Sequence, residues 1–327
     1  MSTGRVDRYE RAHPAAGFPI AVVYKFFDDT GGYLAALITY YAFVSLFPLL
    51  LLLSTVLGFV LSGNPALQQR VLDSALHQFP VVGGQLGDPG HLGGGPVGLV
   101  IGIVGSLYGA LGVAQAVQYA MNTAWAVPRN SRPNPFKARG LSLLLLATAG
   151  VPIIGTTVLS TMGGAGALGP PLKVAALVLS VALNAAVFVF VFRVAAARSL
   201  TVRDVAPGAI AAAVVWQLLQ SFGVVYVRHV VANAGAMNGV FAIVLGLIAF
   251  LYVASVAAVL CIEINVVRVN KLHPRALLTP LTDNVSLTAG DRRAYSTQAQ
   301  AQRMKGFEDV DVQFHQPEEA PEEDPER

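Results

Sequence analysis

The sequence predicts an all-α fold: a polytopic membrane bundle with six transmembrane helices and short interfacial amphipathic helices. Three observations lead to this prediction. Hydrophobic residues make up 54% of the 327 residues and charged residues only 13%, against about 25% charged in soluble domains. Long windows of the chain carry no charge at all, and Lys and Arg concentrate in alternate connections between those windows. A soluble protein of this composition would have too few charges to cover its surface.

The first predicted span, residues 34–61, lies in an uncharged window that extends from residue 30 to residue 69. About 20 apolar residues are enough to cross the hydrocarbon core, so this helix is long enough to span it with tilt. Tyr41, Ser45 and Pro48 occupy its first half, whereas leucine dominates its second half. Pro48 removes a backbone hydrogen bond and predicts a kink, which is either a packing device or part of a functional site.

Five further apolar windows complete the membrane domain, which we place at residues 34–267. The five predicted spans are residues 97–126, 141–162, 172–192, 205–227 and 239–267. A cytoplasmic N-terminal segment, residues 1–33, precedes the membrane domain, and a cytoplasmic tail, residues 268–327, follows it.

The distribution of positive charge predicts the orientation of the chain. Fourteen Lys and Arg residues flank one side of the predicted spans and three flank the other. Cytoplasmic loops carry the excess of positive charge in membrane proteins. The sequence therefore predicts a multi-pass protein of the inner or plasma membrane with both termini in the cytoplasm, and an even number of spans agrees with this.

Three segments outside the spans have a recognisable pattern. FPIAVVYKFF, within residues 1–33, has phenylalanines at near-helical spacing, which predicts a short amphipathic helix at the inner interface; an ordered loop is the alternative. Residues 64–79 predict an external amphipathic helix with Asn64 as its N-cap. From Ala276 the chain becomes polar and then acidic, which predicts a mostly disordered tail.

Polar side chains within spans are costly in hydrocarbon, so they are the candidate functional residues. On the second span, three amides recur at helical spacing and share one face. The candidate intramembrane polar site comprises Tyr41, Ser45, Pro48, Gln115, Gln118, Asn122, Arg193, Glu263 and Asn265.

Glu263 is the only carboxylate well inside a predicted span. It precedes Arg268 by five residues, so roughly 7 Å of helix separates it from the inner interface. Arg193, which closes the fourth span on the same side, is its expected partner. Three roles remain open for Glu263: an ion pair that fixes helix packing, a gate or substrate contact, and a proton-coupling carboxylate.

The sequence predicts neither a cofactor nor a metal site. Cys261 is the single cysteine, and the six histidines never fall into a ligand spacing. The templates HExxH, GxSxG and the P-loop are missing, so no enzyme activity is predicted. Residues 1–306 hold 21 Lys and Arg against 10 Asp and Glu, which in a membrane domain indicates contact with membrane lipids and not with nucleic acid. The sequence does not indicate an oligomeric state.

Four stretches together resemble one family, the YihY/virulence factor BrkB membrane proteins. They are AALITYYAFVSLFPLLLLLSTVLG, QYAMNTAWAVPR, PGAIAAAVVWQLLQSFGVVYV and GVFAIVLGLIAFLYVASVAAVLCIEINVV. Where the family usually shows Gly-Ala-Glu-Leu-Asn, this chain has Cys261-Ile262-Glu263-Ile264-Asn265, which keeps Glu-x-Asn and replaces the small residues before it. The resemblance covers roughly residues 20–270 and implies a six-span inner-membrane protein with both termini inside.

Two classes of function fit these features. The first is a transporter or a protein that handles lipids or other envelope components, as the polar faces of the spans and the kinked first span suggest. The second is a non-transporting structural or accessory protein of the envelope, which small-residue helix packing serves equally well. Some family members carry an old ribonuclease label, but the sequence disfavours that activity, since no cytoplasmic cluster of metal-binding or acid–base groups is apparent.

Overall fold

The computed structural model describes residues 14–60, 95–145, 148, 170–232, 236–277, 279 and 285–315. Within these residues every regular element is a helix, which confirms the predicted all-α class. The helices are α1 (Pro14–Asp28), α2 (Gly31–Val60), α3 (Gly95–Ala124), α4 (Pro170–Ala195), α5 (Val202–Ala232), α6 (Ala236–Asn270) and α7 (Ala289–Gln300). A 3₁₀ turn, Arg129–Ser131, follows α3, and residues 135–145 are helical.

Four helical stretches are long and apolar enough to cross a membrane: Val100–Ala124, Leu177–Ala195, Val202–Phe222 and Val244–Asn270. They fall on the second, fourth, fifth and sixth predicted spans. The helix α2 covers the first predicted span with 30 residues and contains Pro48. Most of the third predicted span, residues 141–162, lies outside the described residues, as does the predicted external helix at 64–79. Four of the predicted spans are thus confirmed as helices long and apolar enough to cross a membrane, and the count of six spans stays a prediction.

The last long helix, α6, is the centre of the bundle. It contacts α1, α2, α3 and α5, while α2 also packs along α3 and α4 packs along α5. Apolar side chains of α6 such as Val259, Ile262 and Val266 are buried in these contacts. One polar contact also joins α2 to α6, because the Thr39 hydroxyl donates a hydrogen bond to Ser255 Oγ over 3.1 Å.

The basic connections meet at one end of the bundle, which we call the arginine-rich end. There the Ala197 amide, after α4, donates to Asn122 Oδ1 at the end of α3 over 2.7 Å. The guanidinium of Arg268, at the end of α6, donates to the carbonyl oxygen of Arg203 at the start of α5. The helix α1 packs against α6 at the same end, where Ala21 is fully buried between them.

The segment after α6 differs from the prediction of a mostly disordered tail. Residues 289–300 form α7, which begins with a capping box: Thr288 Oγ1 accepts a hydrogen bond from the Asp291 amide, and the Asp291 carboxylate accepts one from the Thr288 amide. The sequence signal was short, a Thr-x-x-Asp pattern inside a polar stretch. The last acidic residues, 316–327, lie outside the described residues.

The predicted N-terminal helix is confirmed as the helix α1, and one of its faces packs against α6. Val22, Lys25 and Phe26 on one face of α1 are buried, whereas Val23 and Phe27 are exposed. Its buried face therefore brings a lysine into the bundle against α6.

A buried charged cluster and a polar cavity at the arginine-rich end

Three charged side chains are buried together where α1 meets α6. Lys25 is 2% exposed, Asp29 is 3% exposed and Glu263 is fully buried. The ammonium of Lys25 forms an ion pair with the Asp29 carboxylate one helical turn away. Neither carboxylate oxygen of Glu263 has a hydrogen-bond partner among the described residues. We call these three residues the charged cluster.

The electrostatics of the charged cluster follow from one cation facing two carboxylates. Burial lowers the pKa of Lys25, but the nearby Glu263 and Asp29 carboxylates outweigh burial, so its pKa is raised above the ordinary value. Burial raises the pKa of Asp29, while Lys25 opposes that rise. A single lysine therefore faces two buried carboxylates, so the cluster carries one excess negative charge when both carboxylates are ionised.

A second buried ion-pair network ties the segment after α6 to α1. The guanidinium of Arg275 is fully buried, and it pairs with Asp28 over 2.9 Å and with Asp291 of α7. Asp291 also accepts hydrogen bonds from the amides of Ala276 and Thr288. Burial lowers the pKa of Arg275, but the two aspartates outweigh this and its pKa is raised.

The same segment also bonds to the turn after α3. The amide of Arg129 donates to the Ala301 carbonyl over 3.1 Å, and the amide of Asn130 donates to the Arg303 carbonyl over 3.2 Å. The Gln298 side chain donates to the Asp28 carbonyl over 2.6 Å. Residues 271–277 and 285–303, which we call the C-terminal cap, thus join α1 to the turn after α3.

A polar cavity of about 610 Å³ lies between these elements. Its lining residues come from the end of α1, the end of α3, the 3₁₀ turn and the C-terminal cap. They are Asp28, Asp29, Thr30, Tyr119, Thr123, Ala126, Arg129, Arg132, Gln298, Ala301 and Gln302. Asp29 belongs to both the cavity wall and the charged cluster, whereas Glu263 does not line the cavity.

The structure distributes the predicted polar site over separate contacts. In the described part of the chain, no hydrogen bond or ion pair joins any two of its nine residues. Tyr41, Ser45 and Pro48 face glycines of α3: a Cβ added at Gly109 would lie 2.3 Å from Ser45 Cβ, and one at Gly112 would meet the Tyr41 ring at 2.0 Å. These three side chains fill the close contact between α2 and α3.

The amides of the second and sixth spans have helix-joining roles. Gln118 donates to the Ala138 carbonyl and to Ser142 Oγ, which links α3 to residues 135–145. Asn122 Oδ1 accepts the hydrogen bond from the Ala197 amide that is described above. Asn265 Oδ1 accepts a hydrogen bond of 2.8 Å from the Gly208 amide, which joins α6 to α5. Gln115 is exposed on the outer surface of the described helices.

The expected pairing of Arg193 with Glu263 is wrong. Arg193 is exposed, and its Nε donates to the Leu200 carbonyl over 3.0 Å, which closes the turn after α4. Lys25 supplies the cation near Glu263 instead. The sequence carried one signal for this arrangement, since Lys25 and Asp29 are four residues apart, the spacing of an ion pair on a helix.

The comparisons with known proteins decide the family. A family model described as Virulence factor BrkB matches residues 22–284. The chain belongs to this family. No curated protein matches the chain, and no solved structure matches it. Family membership and the apolar helices together identify this BrkB-family chain as an integral membrane protein.

Proposed function

We propose that this BrkB-family protein transports, or otherwise handles, a lipid or another component of the cell envelope, and that the polar cavity at the arginine-rich end is where it takes up that component. The observation that carries the proposal is the position of the cavity. It is of the size usual for small-molecule sites, and Asp29 in its wall belongs to the charged cluster inside the bundle. In this proposal, a ligand in the cavity changes the charge state of the cluster through Asp29.

In this proposal the protein lies in the inner or plasma membrane with both termini and the arginine-rich end in the cytoplasm. The support is the excess of Lys and Arg in the connections that meet at this end. The cavity then opens toward the cytoplasm, and membrane lipids are the immediate neighbours of the bundle. No enzyme activity and no cofactor enter the proposal.

One observation favours the second candidate, a structural or accessory protein of the envelope. The α2–α3 contact is closely packed at three glycines, Gly105, Gly109 and Gly112. Contacts of this kind hold helices in a fixed arrangement and need no moving part.

The two candidates are separated by comparing cells that have and lack the gene. Envelope lipids and the uptake of labelled solutes are measured in both, and again after the gene is restored. The proposal expects a restored difference in at least one lipid or solute. If lipid composition and uptake are the same in both strains, while the envelope of the deleted strain is mechanically weaker, the accessory role is correct.

A further inference from the structure

The acidic and the basic residues that line the polar cavity differ in their ion-pair partners. Its two acidic residues, Asp28 and Asp29, are already paired with the buried cations Arg275 and Lys25. Its two basic residues, Arg129 and Arg132, have no carboxylate within ion-pair distance in the described part of the chain. Arg129 and Arg132 are therefore the two cations of the cavity wall that remain available to a ligand.

The two arginines lie close enough to affect one another. Arg132 is held by a hydrogen bond from its Nε to the Val127 carbonyl over 3.1 Å, and its guanidinium lies 5.5 Å from the centre of the Tyr119 ring. Burial lowers the pKa of Arg132, Tyr119 partly offsets this, and the nearby charge of Arg129 lowers it further. Two like charges thus line the same cavity wall within electrostatic range of each other, an arrangement that an anion would stabilise.

The neutral groups of the cavity are suited to the same kind of ligand. The Thr123 hydroxyl is buried without a hydrogen-bond partner among the described residues, and it lies in the wall with Tyr119 and Gln302. Hydroxyl and amide groups complete the hydrogen bonding of an anion that guanidinium groups bind. A volume of about 610 Å³ leaves room for a larger molecule attached to the anionic group.

We propose that the polar cavity binds a phosphate group carried by a small molecule or a lipid headgroup, with Arg129 and Arg132 as its cationic ligands. Guanidinium groups match phosphate oxygens in geometry, and the free oxygens of one phosphate group can accept hydrogen bonds from both arginines. This inference rests on the proposed function, because it names the chemical class of the component that is handled. Binding nevertheless tests it without any measurement of transport.

The test uses the purified full-length protein in detergent at constant ionic strength. One arm titrates inorganic phosphate and glycerol 3-phosphate by calorimetry, with acetate as the comparison anion. The other arm measures, by native mass spectrometry, the binding of phosphatidylglycerol against diacylglycerol, which lacks the phosphate. Binding in the first arm identifies a soluble phosphate compound as the source, and binding in the second arm alone identifies a lipid headgroup.

The variants are Arg129→Gln, Arg132→Lys and a matched control, Arg203→Gln. Arg203 is an exposed arginine at the same end that does not line the cavity. Loss of one charge-assisted contact is expected to weaken phosphate binding by about tenfold or more. Arg129 is exposed, and its side chain forms no hydrogen bond or ion pair with the described residues, so Arg129→Gln is expected to keep the melting temperature of the wild type. This variant decides the outcome if Arg132→Lys is poorly folded.

The inference is overturned if neither phosphate probe nor phosphatidylglycerol binds, if acetate binds as tightly as phosphate, or if Arg129→Gln binds like Arg203→Gln. The separate cell experiment keeps the two proposals distinguishable. If phosphate does not bind but deletion of the gene has a clear effect on lipids or uptake, only the proposed ligand class is refuted. If phosphate binding depends on the arginines but deletion changes neither lipids nor uptake, the transport proposal is refuted and the phosphate site is retained.

Discussion

The ion pairs of Arg275 should determine whether the C-terminal cap stays attached to the bundle. Arg275→Met removes a fully buried guanidinium that pairs with both Asp28 and Asp291, and it replaces that group with an apolar side chain of similar length. The change leaves the fully buried Asp291 without its cation. The perturbation is therefore confined to the contact between α1, the segment after α6 and α7.

The magnitude follows from the surroundings of the two aspartates. Removing one partner of a buried ion pair costs about 3–5 kcal/mol, because the other charge is left buried. Asp291 keeps its hydrogen bonds from the Ala276 and Thr288 amides, and Asp28 is partly exposed, so the lower end applies. The free energy needed to open the cap should fall by about 3 kcal/mol, which corresponds to about a hundredfold increase in the equilibrium constant for opening.

Hydrogen exchange measures that opening directly. Amides of α7 and of residues 272–277 are expected to exchange about a hundredfold faster in Arg275→Met, while amides in the core of α6 keep the wild-type rate. Arg292→Met is the control, because Arg292 is an exposed arginine of the same helix. Wild-type exchange of α7 in Arg275→Met would refute the conclusion that this network holds the cap.

Three further predictions concern packing, charge and orientation. Gly109→Ala places a Cβ 2.3 Å from a side chain of α2 and should lower stability in thermal unfolding by about 1–3 kcal/mol, whereas Gly140→Ala, which meets nothing within 4 Å, should not; equal melting temperatures would contradict the close α2–α3 contact. The raised pKa of Lys25 stabilises the fold below its ordinary value of 10.5, and this contribution is lost as the pH rises through the folded-state pKa. The wild type should therefore lose more stability above pH 10.5 than Lys25→Met does, and parallel melting curves would contradict this. In a Cys261→Ala background, a cysteine at the exposed position Phe307 should react with a membrane-impermeant maleimide only after the cells are opened; reaction in intact cells would reverse the proposed orientation.

The sequence was sufficient for the helical membrane class because apolar length and charge bias are properties of each segment alone. It was also sufficient to single out Glu263, since a carboxylate in an apolar helix is conspicuous. The partner of Glu263 was not predictable in the same way. Lys25 lies more than two hundred residues away in the chain, and only the packing of α1 on α6 brings the two together.

For the polar residues of the first span, the sequence suggested a functional site where the structure shows packing. Tyr41 and Ser45 were selected because polar groups are costly in hydrocarbon, yet glycines in α3 accommodate them as packing groups. The C-terminal cap was missed because a polar stretch lacks the apolar pattern of a folded segment. Its order depends on Arg275 and Asp291, whose ion pair requires the tertiary fold.

The most direct test of a functional charged cluster is the effect of Glu263→Gln in cells, compared with Glu308→Gln in the segment after α7. Membrane level and melting temperature are measured beside envelope lipids and solute uptake. Glu263→Gln is expected to reach the membrane and to melt like the wild type, but to restore neither the lipid profile nor uptake to the deleted strain, while Glu308→Gln restores both. Full restoration by Glu263→Gln would contradict a functional role for the charged cluster.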